Sequence, residues 1–248
     1  MINSSKSANL GDAFSKYFEI VPAMYDAQKE AAFRIRHSVY CEDLGWEPAR
    51  SNGMETDAYD VQSLHCLVRS RSSGEHIGCV RLVRADADDP QVPLPFEQTC
   101  ADTIDRSIIE LDVMSRDRIA EVSRLAIVGQ YRRRRGEERT PGTLQDSDFG
   151  GGGRSRFPWP LVGLYMGVFA MAEHHGLDTL FLLSEPRLLR HLNKIGITNR
   201  QIGGAIEHRG LRAPAVMDVR EVIDNLDPLL RSVYQVACEA LDGCQNHA

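Results

Sequence analysis

From Leu161 to Ala172 the chain carries its longest apolar stretch, opened by Pro160 and broken by Gly163, Tyr165 and Gly167. A helix needs about 20 apolar residues to cross a bilayer, so this one must find its apolar surroundings inside the protein. Proline suits the first position of such a helix. The Gly163-x-x-x-Gly167 spacing, a packing motif in membrane helices, here predicts close helix-to-sheet contact. A sheet is indeed readable. Leu64–Arg69 and Ile77–Val83 alternate apolar and polar residues around Ser72-Ser73-Gly74, the pattern of a hairpin. Ile119–Val128, rich in Val, Leu and Ile, predicts a third strand, and Asp178–Leu183 a buried one. Ile202–Glu207 and Ala215–Val219 predict two more.

Helices are expected around that sheet. Met24, Ala27, Ala31, Ile35 and Val39 recur at helical spacing from Pro22 to Leu44, with Gly45 as the stop. Pro186–Ile195 predicts a short helix closed by Gly196, and Asp227–Leu241 a terminal one. The polar residues 1–18 read as a loosely held arm, and residues 19–248 as one α/β domain with an inserted loop at about 137–157.

Charge and cysteine usage narrow the function. A net charge of −6 lacks the basic excess of a nucleic-acid binder. Cysteines 41, 66, 79, 100, 238 and 244 show no C-x-x-C spacing, and no histidine pattern completes a zinc set, so the expectation is free thiols in a reducing cytoplasm and no metal. The start MINSSKSANLGDAF has no basic stretch followed by an apolar core, so it does not read as a signal peptide.

The chemistry is concentrated in Arg36, Tyr40, Trp46, Glu55-x-Asp57-x-x-Asp60, Arg81, Phe96 and Glu121-x-Ser123-Arg124. Guanidinium groups, carboxylates and an indole alternating over separate segments suit a site that grips a small zwitterion and takes a proton from its amine. Each residue also has a plainer reading. Glu121 and Arg124 can form a structural ion pair, Asp57 and Asp60 can cap a loop, and Trp46 can sit in the core. Strand alternation puts 121 and 123 on one face and 124 on the other, unless a bulge re-aims them. Arg132, Arg133, Arg134, Arg135 and Gly136 follow that strand and precede the apolar helix. Strand, loop and helix N-terminus together form a recurrent cradle for pyrophosphate, and a solvated basic face is the alternative.

With those residues in view, the chain resembles the acyl-homoserine-lactone synthase branch of the GNAT acyltransferase superfold. Arg36-x-x-x-Tyr40, Trp46, the acidic triplet, Arg81, Phe96 and Glu121-x-x-Arg124 match that pattern in order and spacing, with tyrosine where phenylalanine is usual. Within that branch it is similar to the N-acyl amino acid synthases and to the acyltransferases of PEP-CTERM/exosortase systems. This narrower likeness rests on the segments 39–46, 184–190 with Gly196, and 207–214, besides the arginine run.

The resemblance implies a GNAT-like fold, with a central twisted mixed sheet flanked by helices and a cleft near splayed strands. It implies transfer of a fatty acyl group from an acyl-phosphopantetheine thioester, on acyl carrier protein or coenzyme A, to the amine of an amino acid or similar small acceptor. No cofactor is expected to be held permanently. Glu121 is then the candidate base, with Ser123 and Arg124 beside it. Arg36, Tyr40, Trp46, Glu55, Asp57, Asp60, Arg81 and Phe96 would shape the acceptor site, and Arg132–Gly136 would meet the donor. The usual GNAT loop Arg/Gln-x-x-Gly-x-Gly/Ala is absent, and the arginine run standing in its place suits a carrier protein's acidic surface. The competing reading is a non-catalytic module of the same fold that binds an acyl ligand or carrier protein.

Overall fold

The computed structural model describes residues 10–132 and 158–245. The chain begins with helix α1 (Leu10–Tyr17) and passes directly into strand β1 (Phe18–Pro22). Residues 10–18 are therefore not a loose arm. Phe14 is fully buried, against Phe18 and Trp159 at ring-centroid distances of 5.7 and 6.2 Å, and that burial holds the segment down. Helix α2 (Asp26–Arg36) follows, its start capped where Gln28 Oε1 accepts the Met24 and Tyr25 N–H groups at 2.8 and 3.0 Å. It runs without a break into a wider π-helical turn, His37–Asp43, and the chain leaves at Gly45 with φ +66°. The predicted helix from Pro22 to Leu44 is thus a strand end followed by two helical forms.

The expected hairpin is β2 (Ser63–Ser70) and β3 (His76–Arg84). Then come α3 (Pro95–Thr99), β4 (Ile119–Ile127), the four-residue α4 (Gly129–Arg132), α5 (Trp159–His174), β5 (Thr179–Ser184) and α6 (Pro186–Lys194). Short strands β6 (Arg200–Gln201) and β7 (Ile206–Glu207), the longer β8 (Leu211–Asp218), and helices α7 (Val219–Asn225) and α8 (Pro228–Gln245) complete the order. Of the segment expected as one strand at 202–207, Ile206–Glu207 is strand β7 and Gly203 makes an isolated bridge to Ile104, while β6 lies just before it at Arg200–Gln201.

The strand order is β1-β2-β3-β4-β5-β8-β6, with β7 paired to β8. Every pairing is antiparallel except β4 with β5, so the sheet is mixed. That parallel contact joins Ile119–Val122 to Thr179–Leu182 and stops there, so β4 and β5 part company from Ser123 onward. That parting is the place of the cleft the resemblance implies. Helices α1, α5, α7 and α8 cover one face and bury the largest core, while α2 and its π-turn cover the other.

Helix α5 settles the reading of its glycines. A Cβ at Gly167 would lie 2.5 Å from Cys66 Sγ on β2, so this glycine permits close helix-to-sheet packing, while one at Gly163 would lie 2.7 Å from the Phe14 ring of α1 and 3.2 Å from Val68 on β2, so that glycine admits α1 as well as the sheet. The expected insertion at 137–157 lies outside the described residues.

Candidate active site

Arg36 stands at the junction of α2 and the π-turn, with its side chain wholly buried. The widened turn carries Tyr40 towards β4, where its hydroxyl donates to the Leu125 carbonyl at 2.8 Å. Gly45 then folds Trp46 back onto the Tyr40 ring, stacked at 6.0 Å and 25°. The Leu125 carbonyl is part of a bulge. Cys79 pairs with Ala126 and Arg81 with Ser123, so two β4 residues, Arg124 and Leu125, oppose Val80 alone. Arg124 takes the left-handed conformation, φ 52°, and the bulge re-aims its side chain into the cluster that strand alternation would have denied it.

The acidic segment meets these arginines. Arg36 Nε donates to Glu55 Oε2, and its terminal nitrogens donate to Asp60 at 2.6 and 3.1 Å. Arg81 donates to Asp57 at 2.6 Å, to Asp60 at 2.8 Å and, through Nε, to Ser123 Oγ at 3.1 Å. Arg124 lies 3.2 Å from Glu55, 3.1 Å from Asp57 and 3.5 Å from Glu47. The capping reading holds alongside this one. Asp57 Oδ1 accepts the Tyr59 N–H at 3.0 Å and Asp60 Oδ2 accepts the Asp57 N–H at 2.8 Å, shaping the turn that presents both carboxylates.

Burial works to raise the pKa of each acid, but the guanidinium partners outweigh it. Glu55 and Asp57 are held below the usual carboxylate range, and Asp60, between Arg36 and Arg81, is drawn down to about 2. These acids are fixed anions, and Arg36 and Arg81 are fully engaged. His65, on β2 opposite Arg81, is neutral behind them. Burial pulls its pKa down to about 4, and its Nε2 lies 3.8 Å from Asp60 Oδ1.

Glu121 differs from every other acid of the group. It is 4% exposed and pairs with Phe181, one residue before the β4–β5 contact ends; burial, opposed by the Phe96 N–H and by Arg81 and Arg124, pushes its carboxyl up to about 7. The Phe96 backbone N–H donates to it at 2.7 Å. Arg124 is directed to Glu47, Glu55 and Asp57, so the structural ion pair between Glu121 and Arg124 is not formed. Ser123 is bound to Arg81. Phe96 is core rather than pocket wall by its ring, which is 1% exposed and stacks on Phe181 at 4.5 Å and 17°. Its backbone is what touches the site.

Several neighbours escaped the sequence. Glu47 pairs with Arg124 and also with Arg209, at the tip of the β7–β8 hairpin. Arg212 lies over the Trp46 ring at 5.7 Å and pairs with Glu185 at 3.1 Å. The sequence signal was available in His208-Arg-Gly210, a turn between two short strands, but nothing local links it to residue 47. Cys66 and Cys79 are buried packing groups whose thiols burial pushes up to about 12, which disfavours a thiolate nucleophile.

Beyond the cluster, β4 leads to an open groove of about 680 Å³ lined by Ser38 and Asp43 of the π-turn, Glu75 just before β3, His76 and Ile77 at its start, and Val128–Gln130. Arg133, Arg134, Arg135 and Gly136, and the side chain of Arg132, lie outside the described residues.

Residues 35–140 match the family model of an acetyltransferase (GNAT) domain, a span that contains Arg36 through Arg124. Over 70 residues the chain is 34% identical to an acyl-homoserine-lactone synthase of Vibrio anguillarum. That match covers 28% of this chain and 35% of the relative, so the chain spans about a third of the length of the curated protein it matches. Among solved structures it is similar to BjaI, a CoA-dependent acyl-homoserine lactone synthase with SAM and isopentyl-CoA, at TM-score 0.58, 18% identity, 89% of this chain and 89% of that one. It is also similar to FeeM, an N-acyl amino acid synthase from uncultured soil microbes, at TM-score 0.55 and 15% identity over 84% and 94% of the two chains. At these identities the likeness is one of fold. The mixed α/β, GNAT-like architecture expected from the sequence is the architecture observed.

Proposed function

We propose that the protein is an N-acyltransferase that moves a fatty acyl group from a phosphopantetheine thioester to the amine of an amino acid or similar small acceptor. The observation that carries this reading is Glu121, a buried carboxyl with its pKa raised to about 7, two residues before β4 and β5 part, beside arginines already compensated by other acids. An amine attacks a thioester only when unprotonated, and an acceptor poised near neutrality suits that task.

In the proposed reaction the acceptor nitrogen attacks the thioester carbonyl carbon while Glu121, directly or through water, takes one of its protons. The C–N bond forms, the C–S bond breaks, and the thiolate leaves to be reprotonated. Beyond Val122 the β4 edge has no β5 partner. Backbone N–H groups on that edge are the candidate donors to the developing oxyanion, each able to lower the barrier by about 3 kcal/mol. Arg36, Arg81, Arg124, Ser123, Glu55, Asp57 and Asp60 hold the geometry of the acceptor site, with Tyr40 and Trp46 at its side.

Acyl carrier protein is the donor we favour over coenzyme A, through Arg132–Arg135 and the groove at Val128–Gln130, because four consecutive arginines complement an acidic carrier surface. BjaI's pairing with isopentyl-CoA and the FeeM activity support thioester donors and amino acid acceptors as classes. Segments 39–46, 184–190 and 207–214 support a role beside PEP-CTERM/exosortase systems. No helix among the described residues is long and apolar enough to cross a membrane, and we read the enzyme as cytoplasmic.

The test is release of free thiol from acyl carrier protein or acyl-CoA donors while candidate amines are varied, with mass spectrometry of the acylated product. Donor binding without amine-dependent thiol release would instead support the non-catalytic acyl-binding module.

A further inference from the structure

Among the described residues, the non-glycine residues in the left-handed backbone region are Arg124 (φ 52°) and Arg209 (φ 55°), far apart in sequence. Both guanidinium groups meet on one atom, Glu47 Oε1. A β-carbon is disfavoured in that conformation, and residues held there collect where a site over-determines them.

The solvent edge of the charge cluster runs through these groups. Arg36, Arg81, Glu55 and Asp60 are buried, whereas the side chains of Arg124, Glu47, Asp57 and Arg209 are 21, 20, 25 and 31% exposed. A small ligand entering the cleft meets that rim. Arg124 has Glu55 and Asp57 within 3.2 Å and does not depend on Glu47, whose closest approach to it is 3.5 Å. Among the described residues, Arg209 leans on Glu47 alone for a carboxylate. The hairpin tip is fastened independently of that pair. Arg212 donates to the Arg209 carbonyl at 3.1 Å and to Glu185 at 3.1 Å, and lies over Trp46. The Gly210 N–H donates to Glu207 Oε1 at 3.0 Å. The Arg209 side chain can therefore change partner without the turn moving.

We propose that Arg209 and Glu47 form an exchangeable clasp that selects acceptors bearing a carboxylate. Glu47 occupies Arg209 in the empty site, and an entering carboxylate displaces it, while Glu47 turns to Arg124 already at hand. The exchange keeps Arg209 paired, since one carboxylate replaces another on its guanidinium, and Glu47 keeps a cationic neighbour in Arg124. Guanidinium is suited to this by its planar fork, which a lysine lacks. The clasp rests on the acyltransfer reading for its kinetic test and has a binding test that does not.

The kinetic experiment compares free amino acids with their carboxamides as acceptors, in the wild type, Arg209→Gly, Arg209→Lys and Glu47→Gln. Glycine relaxes the backbone at φ 55°, so the tip is retained. On the strength of hydrogen bonds to charged groups, the amide is expected to be a poorer acceptor than the acid by about 10- to 100-fold in kcat/KM. Arg209→Gly should erase that preference by raising KM for the acid while leaving the amide unchanged, with Arg209→Lys between the two. Glu47→Gln should lower KM for the acid, the internal competitor being gone. Equal shifts for acid and amide, or no shift, would overturn the clasp. Calorimetric titration of the same amino acids and amides onto wild type and Arg209→Gly decides the matter should no thioester be consumed. Acid binding lost in the variant upholds the clasp; no difference between the proteins, or no binding to either, removes it.

Discussion

Replacing Glu121 by glutamine should disable the enzyme and stabilise it in the same stroke. Glutamine keeps the shape and an oxygen to accept the Phe96 N–H, held at 2.7 Å in the wild type, but it cannot take a proton. Loss of a positioned base lowers turnover by about 10²- to 10⁴-fold. The stability effect follows from linkage. The carboxyl's pKa rises from 4.5 in the unfolded chain to about 7 in the fold. Its buried charge therefore opposes folding from pH 4.5 upward, and the penalty levels off above the folded value. At about 1.36 kcal/mol per unit, the full penalty is about 3 kcal/mol, of which about 2.5 kcal/mol develops between about pH 5 and pH 8. Urea unfolding of wild type and variant across that range should show the variant's advantage growing with pH. Thiol release should fall in parallel, with little change in donor binding. An advantage that does not vary with pH would refute the assignment of a buried, raised-pKa carboxyl, and unchanged turnover would refute its role as base.

Other perturbations test the frame around it. Arg36→Met leaves Glu55 and Asp60 without their fork; breaking a buried pair from one side should cost about 3–5 kcal/mol in denaturant titration. Asp60, whose pKa is depressed from 3.8 to about 2, contributes stability that is present above 3.8 and lost as pH falls towards 2; Asp60→Asn should flatten acid unfolding by about 2 kcal/mol. Gly167→Ala would drive a Cβ to 2.5 Å from Cys66 Sγ and should lower stability by about 1–3 kcal/mol, partly restored by Cys66→Ala. Charge reversal across Arg132–Arg135 should raise KM for carrier-protein donors and spare coenzyme A thioesters.

What could be read in advance was whatever one periodicity or one breaker encodes. The β2–β3 hairpin, β4, α5 and α6 are local patterns, and each was legible to within a residue or two. Helix α1 was hidden because eight residues with a few apolar side chains resemble an arm until Phe14 finds the groove made by Phe18, Trp159 and Gly163. The π-turn was hidden because helical spacing runs through it unbroken, although it is what carries Tyr40 to the Leu125 carbonyl.

The site divides along the same line. Arg36, Glu55, Asp57, Asp60, Arg81 and Arg124 were named as a set and do converge. Which acid stays outside that set could not be deduced from spacing. Glu121 and Arg124 sit three apart on one strand and read as a pair, yet one extra residue opposite Val80 turns Arg124 towards Glu55 and leaves Glu121 to a backbone N–H. Paired with Arg124, its charge would be stabilised and its pKa held down. Alone, it rises to about 7. The bulge is thus the step at which a row of fixed charges becomes a site with one group able to exchange a proton.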